Sequence, residues 1–135
     1  MARQIYVNLP VKDLDRSRTF FSILGFTFSP KFSSDVAACM VIDENIFVML
    51  LAGEFFATFT AKSICDANSS TEVLVCLSCA SRAEVDGLVG KALAAGGAAP
   101  RSPQDDGFMY GHGFEDLDGH IWELIYMEPG PQTQS

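Results

Sequence analysis

The chain has 135 residues, which is enough for one buried core but too few for two ordinary domains. Hydrophobic residues make up 48% of it and charged residues 19%, which excludes extended disorder. The formal net charge is −8, and no cluster of Lys and Arg concentrates positive potential, so nucleic acid is not expected as a partner.

The beginning of the chain and its apolar runs predict neither a signal peptide nor a membrane span. A strand-like alternation starts within the first residues, and no apolar run reaches the roughly 20 residues that a transmembrane helix needs. We therefore expect a cytoplasmic location, no membrane partner and four reduced cysteines. Cys76 and Cys79 lie in an apolar strand pattern, where positions three apart point to opposite faces, so both are expected to pack as small hydrophobic side chains.

The first half of the chain has the pattern βαβββ. Residues 5–11 alternate as a strand that ends near Pro10, and Asp13 predicts the N-cap of a helix that Gly25 ends. The apolar face of this helix consists of Leu14, Phe20, Phe21 and Leu24. Three strands follow, at residues 26–28, 36–42 and 46–51, with a hairpin turn at 43–45. A short helix is expected around Phe55, Phe56 and Phe59, before a polar linker.

The second half repeats this pattern. A strand at residues 73–79 is followed by Ser81 and Glu84, whose spacing is that of a helical capping box. The buried stripe of this helix is predicted to be Val85, Leu88, Val89, Ala92 and Leu93. The remaining elements are a weak strand near Ala98, a loop through Pro100 and Pro103, strands at 107–114 and 120–126, and a tight turn at 116–119. The tail from residue 129 onward is predicted to be flexible.

An internal repeat of about 70 residues relates the two halves. Val7-Asn-Leu matches Val75-Cys-Leu, and the sequence from Asp43 to Val48 matches that from Asp118 to Glu123. The predicted organisation is one α+β domain, residues 1–128, with modules at 3–52 and 71–128 and a linker at 53–70. Strands that are apolar on both faces predict helices on one side of the sheet and a cavity or a partner on the other.

Two segments resemble a known superfamily. Residues 7–26 contain VNLPVKDLDRS and FFSILGF, and residues 114–124 read FEDLDGHIWEL. They are similar to the first strand and helix, and to the closing hairpin, of the glyoxalase/bleomycin-resistance/extradiol dioxygenase (vicinal oxygen chelate) superfamily, in the branch labelled predicted lactoylglutathione lyase. The resemblance covers residues 4–127. It implies two βαβββ modules whose curved mixed sheets surround a cavity, with helices on the outer face, and a homodimer.

The resemblance also implies where metal ligands would lie, on the first and last strand of each module. Those positions are Tyr6, Val48, Leu74 and Glu123. Only Glu123 is a usual ligand, so we expect the full metal site to be missing and no cofactor to be required. The alternative is a divalent metal, Zn or Ni, held by Glu123 with His112 or His120, or with Asn8 if the first strand is shifted.

Glu123 is the candidate catalytic residue. It lies between Ile121 and Ile125 on one strand face, where a carboxylate is costly to bury unless it is paired or protonated. A structural partner, Tyr6 or Tyr110, is the alternative explanation. A small-molecule site in the concave sheet is predicted to be lined by Tyr6, Asn8, Phe47 or Val48, Tyr110, His112 and Glu123.

Three functions are compatible with these features. The first is a small-molecule site without a full metal centre, in a binding protein or in an enzyme with Glu123 as general base. The second is a metal-dependent lyase of the lactoylglutathione lyase type. The third is drug binding of the bleomycin-resistance kind, in which an acidic, aromatic groove holds a cationic ligand.

Overall fold

The computed structural model describes residues 2–129, and the chain divides between Asp66 and Ala67 into two compact units. Of the tail predicted from residue 129, only Pro129 is among the described residues. Within residues 2–129, no helix is long and apolar enough to cross a membrane.

The first unit contains one four-stranded mixed sheet. Its elements are β1 (Ile5–Val11), α1 (Leu14–Ile23), β2 (Thr27–Ser29), β3 (Ala37–Asp43), β4 (Ile46–Ala52), the short helix α2 (Gly53–Phe56) and a 3₁₀ turn (Ala57–Phe59). The strand order is β1-β4-β3-β2, in which β1 runs parallel to β4 and the other pairs are antiparallel. The predicted βαβββ pattern of this half is confirmed.

Helix α1 begins and ends as the sequence predicts. The side chain of Asp13 accepts a hydrogen bond of 3.1 Å from the backbone N–H of Arg16, which caps the first turn. Gly25 follows the helix with a φ of +103°, a conformation that glycine adopts without strain. Phe20 and Phe21 are fully buried, and α1 packs against β3 and β4.

The second unit has the same topology. Its elements are β5 (Leu74–Ser78), α3 (Arg82–Ala94), β6 (Gln104–Asp105), β7 (Met109–Glu115) and β8 (Ile121–Met127). The strand order is β5-β8-β7-β6, with β5 parallel to β8. The α+β class and the duplicated sheet are therefore confirmed. The two-residue strand β6 was not predicted, because two polar residues carry no alternation.

Helix α3 is held at its start by the predicted capping residues. The backbone N–H of Glu84 donates to the hydroxyl of Ser81 at 3.0 Å, and the Glu84 carboxylate accepts from the N–H of Ala80 at 2.7 Å. Of the predicted stripe, Val85, Val89 and Ala92 are buried. Leu93 was predicted to be buried, and this is wrong: it is 45% exposed, because it lies roughly 80° around the helix from Val85.

Asp116 holds the turn that leads into β8. One of its buried carboxylate oxygens accepts from the N–H groups of Asp118 and His120, at 2.9 and 3.0 Å. The other accepts from the indole N–H of Trp122 at 3.0 Å. Burial raises the pKa of Asp116, although the charge of His120 and these hydrogen bonds act in the opposite direction. The turn therefore fixes Trp122, whose ring stacks on Phe114 with 6.2 Å between centroids.

We expect the substitution Asp116→Asn to lower the free energy of unfolding by about 1–3 kcal/mol, because an amide has one acceptor oxygen and leaves a buried donor unsatisfied. Urea unfolding followed by the fluorescence of Trp122, the only tryptophan, measures this change. The control is Asp106→Asn, at an exposed position, which is expected to change stability by less than about 0.5 kcal/mol. Equal stability of the two variants would contradict the role assigned to Asp116.

Candidate functional site

The alternation of side chains along β8 separates the core of the second unit from a candidate binding surface. Trp122 and Leu124 are fully buried on the side where α3 packs against β7 and β8. Glu123 alternates to the opposite side, with Ile121 and Ile125, and all three are partly exposed. We call this side the open face. Trp122 therefore points into the core, away from Glu123.

Cys76 and Gly113 are the cross-strand neighbours of Glu123, on β5 and β7 respectively. Cys76 was predicted to be packed, and this is wrong: it is exposed on the open face beside Glu123. Partial desolvation, and then the negative charge of Glu123, raise the pKa of the Cys76 thiol. Cys79 is half-buried, and desolvation followed by the charge and hydrogen bond of Glu84 raises its pKa to about 11.

Gly113 leaves the space that the Glu123 side chain occupies. A Cβ atom added at Gly113 would lie 2.7 Å from the carbonyl oxygen of Trp122 and 3.2 Å from Oε2 of Glu123. At Gly111, two residues earlier on the same face, the nearest atoms would be at ordinary distances of 3.6 and 3.7 Å. This part of β7 is therefore a strip without side chains, and the Glu123 carboxylate lies across one end of it.

The open face forms a cavity of about 170 Å³. Its apolar lining includes Leu74, Met109, Ile121 and Ile125. Its polar lining includes Arg101, Ser102, Gln104 and Glu123. The first three of these polar residues belong to the loop and short strand between α3 and β7. Strand β8 therefore supplies the carboxylate, and the segment between α3 and β7 supplies the guanidinium and the neutral polar groups.

The carboxylate of Glu123 has no hydrogen-bond donor within residues 67–129. The hydroxyls proposed as its structural partners are engaged elsewhere. Tyr6 donates to the side chain of Gln4 at 2.9 Å, and Tyr110 donates to Asp86 at 2.6 Å. The carboxylate therefore presents acceptor oxygens in a partly apolar cavity.

Tyr110 and His112 share one face of β7, but it is not the face of Glu123. In the strand register, His112 lies opposite Leu124, and Tyr110 lies opposite Tyr126. The hydrogen bond to Asp86 raises the pKa of Tyr110 and holds its ring on the α3 side. Tyr110 therefore does not line the cavity that Glu123 lines. His112 lies along the cavity, with Nε2 3.1 Å from the carbonyl oxygen of Arg101, and does not approach Glu123 from the same face.

In the first unit, Tyr6 and Asn8 lie on the side of the sheet away from its buried core. The ring of Tyr6 stacks on Phe47, with 4.8 Å between centroids. Val48 was predicted to line the same surface, and this is wrong: it is buried on the other side of β4 with Leu50.

The error at Val48 has a physical cause. The sequence repeat pairs Val48 with Glu123, but the two hairpins differ. The turn before β4 has two residues and follows a register shift after Val41, whereas five residues separate β7 from β8. The alternation along β4 is therefore shifted by one position from that along β8. Phe47 and Met49, rather than Val48, lie on the face of the first sheet that is equivalent to the face of Glu123.

The residues present do not fit a resident divalent metal. Cys76 is the one ligand-type side chain that lies beside Glu123 in the described part of the sheet. Throughout residues 2–129, no group of three His, Cys, Asp or Glu side chains is arranged to hold a metal ion. The expectation that no cofactor is needed remains a prediction for metal analysis.

Comparison with known proteins gives consistent matches. The bleomycin resistance protein-like N-terminal family matches residues 3–43. A hypothetical protein from S. aureus has a similar solved structure, with 30% identity, a TM-score of 0.79, and coverage of 93% of this chain and 95% of that one. A glyoxalase/bleomycin resistance protein/dioxygenase family enzyme from Burkholderia phytofirmans is 20% identical, with a TM-score of 0.76 and coverage of 93% and 99%.

A fosfomycin resistance protein from Listeria monocytogenes is 20% identical, with a TM-score of 0.69 and coverage of 100% of this chain and 99% of that one. No curated protein sequence matches the chain. The fold is that of the glyoxalase/bleomycin resistance/dioxygenase proteins. The S. aureus protein is a relative of the chain over nearly its whole length.

The space at Gly113 can be tested with a matched pair of substitutions. Gly113→Ala is expected to destabilise the protein by about 1–3 kcal/mol and to displace the Glu123 carboxylate, because the new methyl group overlaps the backbone of β8. Gly111→Ala on the same strand is expected to change stability by less than about 1 kcal/mol. Urea unfolding of both variants measures the difference, and equal effects would contradict the close approach.

The proximity of Cys76 to Glu123 predicts a change in thiol reactivity. In Glu123→Gln, the negative charge that raises the pKa of Cys76 is removed, so more thiolate is present at pH 8 and alkylation by iodoacetamide is faster. Peptide mass spectrometry measures the rate at each cysteine. Cys79 is the internal control, because burial, Glu84 and Cys76 raise its pKa, and Glu123 does not act on it directly. An unchanged rate at Cys76 would show that the two side chains do not interact.

Proposed function

We propose that this chain is a small-molecule-binding protein that works without a resident metal and holds its ligand on the open face of the second unit. Glu123 is the anchor, and it binds a cationic or hydrogen-bond-donating group of the ligand. The apolar side chains around it contact the ligand body. The observation that carries the proposal is a carboxylate that accepts no hydrogen bond from residues 67–129, in a cavity of about 170 Å³ that is partly apolar.

The Glu123 carboxylate is partly buried and accepts no hydrogen bond from residues 67–129. A charge that is partly removed from water is unfavourable unless a counter-charge or a donor compensates for it. A ligand ammonium would supply both, and charge-assisted hydrogen bonds contribute about 1.5–3 kcal/mol. The net charge of −8 also favours the approach of cations over anions.

Drug binding of the bleomycin-resistance kind is a special case of this proposal, in which one cationic group of a larger molecule enters the cavity. If the protein is an enzyme, the same site uses Glu123 as a general base, since a carboxylate that accepts no hydrogen bond within the unit can accept a proton from a bound ligand. The metal-dependent lactoylglutathione lyase is the competing function. It needs at least three ligands, whereas the open face supplies Glu123 and Cys76. Homodimer formation and a cytoplasmic location remain predictions.

The proposal predicts selective binding of organic cations. The probes are n-hexylamine, which is protonated at pH 7, and n-hexanol, which has the same alkyl chain without the charge. We expect the amine to bind at least about tenfold more tightly, a difference of roughly 1.4 kcal/mol. Titration of the ¹⁵N-labelled full chain by NMR measures the affinity and reports which amides shift, with Gly111 and Gly113 expected among them.

Glu123→Gln is expected to remove the preference for the amine, and Glu72→Gln, an exposed position in the same unit, is expected to retain it. Equal binding of amine and alcohol, or an unaffected Glu123→Gln variant, would refute the proposal. The lyase is tested separately with methylglyoxal and glutathione after addition of nickel or zinc. Turnover that requires metal and Glu123 would replace the proposed function with the competing one.

A further inference from the structure

The cavity of the second unit contains charged groups of both signs. Glu123 contributes a carboxylate from the sheet, and Arg101 contributes a guanidinium from the loop that follows α3. Within residues 67–129, Arg101 forms no ion pair, and its closest polar side-chain contact is a long one of 3.4 Å to Gln104. Both charges are therefore available to a ligand.

Contacts with β7 and with α3 hold the loop that carries Arg101. Ahead of β6, the carbonyl oxygen of Arg101 itself lies 3.1 Å from Nε2 of His112 on β7. At β6, Arg82 of α3 forms an ion pair of 2.9 Å with Asp105 and donates to the carbonyl oxygen of Gly107 at 2.8 Å. The backbone at Arg101 is thus held against β7, and the Arg101 side chain lines the cavity.

Apart from Glu123, the side chains with which β5 and β8 line the cavity of the open face are apolar. Leu74, Ile121 and Ile125 line the cavity from the sheet, and Gly111 and Gly113 add no side chains. Such a surface suits methylene groups rather than a row of hydroxyls, because burial of unpaired polar groups is unfavourable. The cavity volume of about 170 Å³ is near that of a cavity that holds benzene, so a ligand of roughly six to ten non-hydrogen atoms fits.

We infer that the cavity binds a zwitterion whose ammonium and carboxylate groups are joined by a short apolar chain, the class of the ω-amino carboxylates. The ammonium binds Glu123, the carboxylate binds Arg101 as a bidentate partner, and the methylenes contact the isoleucines between them. This inference rests on the proposed function, because it uses the same carboxylate as anchor, and it adds the second recognition group and the spacing.

The experiment uses the full chain and a series of ω-amino acids from glycine to 8-aminooctanoate, each compared with the n-alkylamine of the same chain length. Calorimetric or NMR titration gives the dissociation constants. We expect the affinity to be highest at four to six carbons, where the carboxylate improves binding by about tenfold over the matched amine. No gain from the carboxylate at any length would overturn the inference while leaving the proposed function intact.

Variants of Arg101 separate recognition from a structural role of the loop. Arg101→Gln is expected to abolish the gain from the carboxylate, whereas the amines do not bind more weakly to it, because they make no contact that needs the guanidinium. Arg101→Lys is expected to restore part of the gain, because the charge is kept and the bidentate geometry is lost. The control is Lys91→Gln, an exposed cation on α3, which is expected to bind as the native chain does.

Each remaining outcome is decisive. If Arg101→Gln weakens amines and amino acids equally, Arg101 supports the loop rather than the ligand, and the inference is overturned. If neither amines nor amino acids bind the native chain, both the proposed function and this inference are refuted. If Glu123→Gln removes binding of both series while Arg101→Gln affects the amino acids alone, both are supported.

Discussion

The second unit depends on the hydrogen bonds of one buried carboxylate. Asp116 accepts from two backbone N–H groups of its own turn and from the indole of Trp122, so the turn and the first core residue of β8 are fixed together. Once Trp122 is fixed toward α3, strand alternation leaves no freedom at the next position. Glu123 must face the opposite side, and the acidic group of the cavity follows from the geometry of the turn.

The site combines rigid and polar components in a defined arrangement. The sheet supplies the carboxylate, the thiol of Cys76 beside it and a strip of glycine backbone. The loop after α3 supplies Arg101 and neutral polar groups. A sheet position is held by backbone hydrogen bonds on both neighbours, whereas a loop position is held by a few side-chain contacts. The position of Glu123 is therefore built into the fold, and the position of Arg101 depends on local anchors such as Arg82 and His112.

The sequence predicted most of the fold because its local signals are strong. Asp13, Gly25, Ser81 and Glu84 mark helix ends by hydrogen bonds or backbone conformation that few other residues provide. The site was predicted less well. Val48 and Tyr110 were assigned to the wrong faces, because alternation is known only up to a shift of one residue and the two hairpins differ in length. Arg101 was missed, since a loop residue in an unpatterned segment carries no periodic signal.

The residues that line the cavity differ in how well they tolerate substitution. Gly113 on the sheet does not tolerate a side chain, whereas the residues of the loop and β6 do. Any side chain at Gly113 would meet the backbone of β8 before it met a ligand, so variation at this position disturbs folding before it alters selectivity. Arg101 and Ser102 of the loop and Gln104 of β6 have exposed side chains, which can be replaced without loss of buried packing. Variants designed to bind a chosen molecule in this cavity should therefore keep Gly113 and vary Arg101, Ser102 and Gln104.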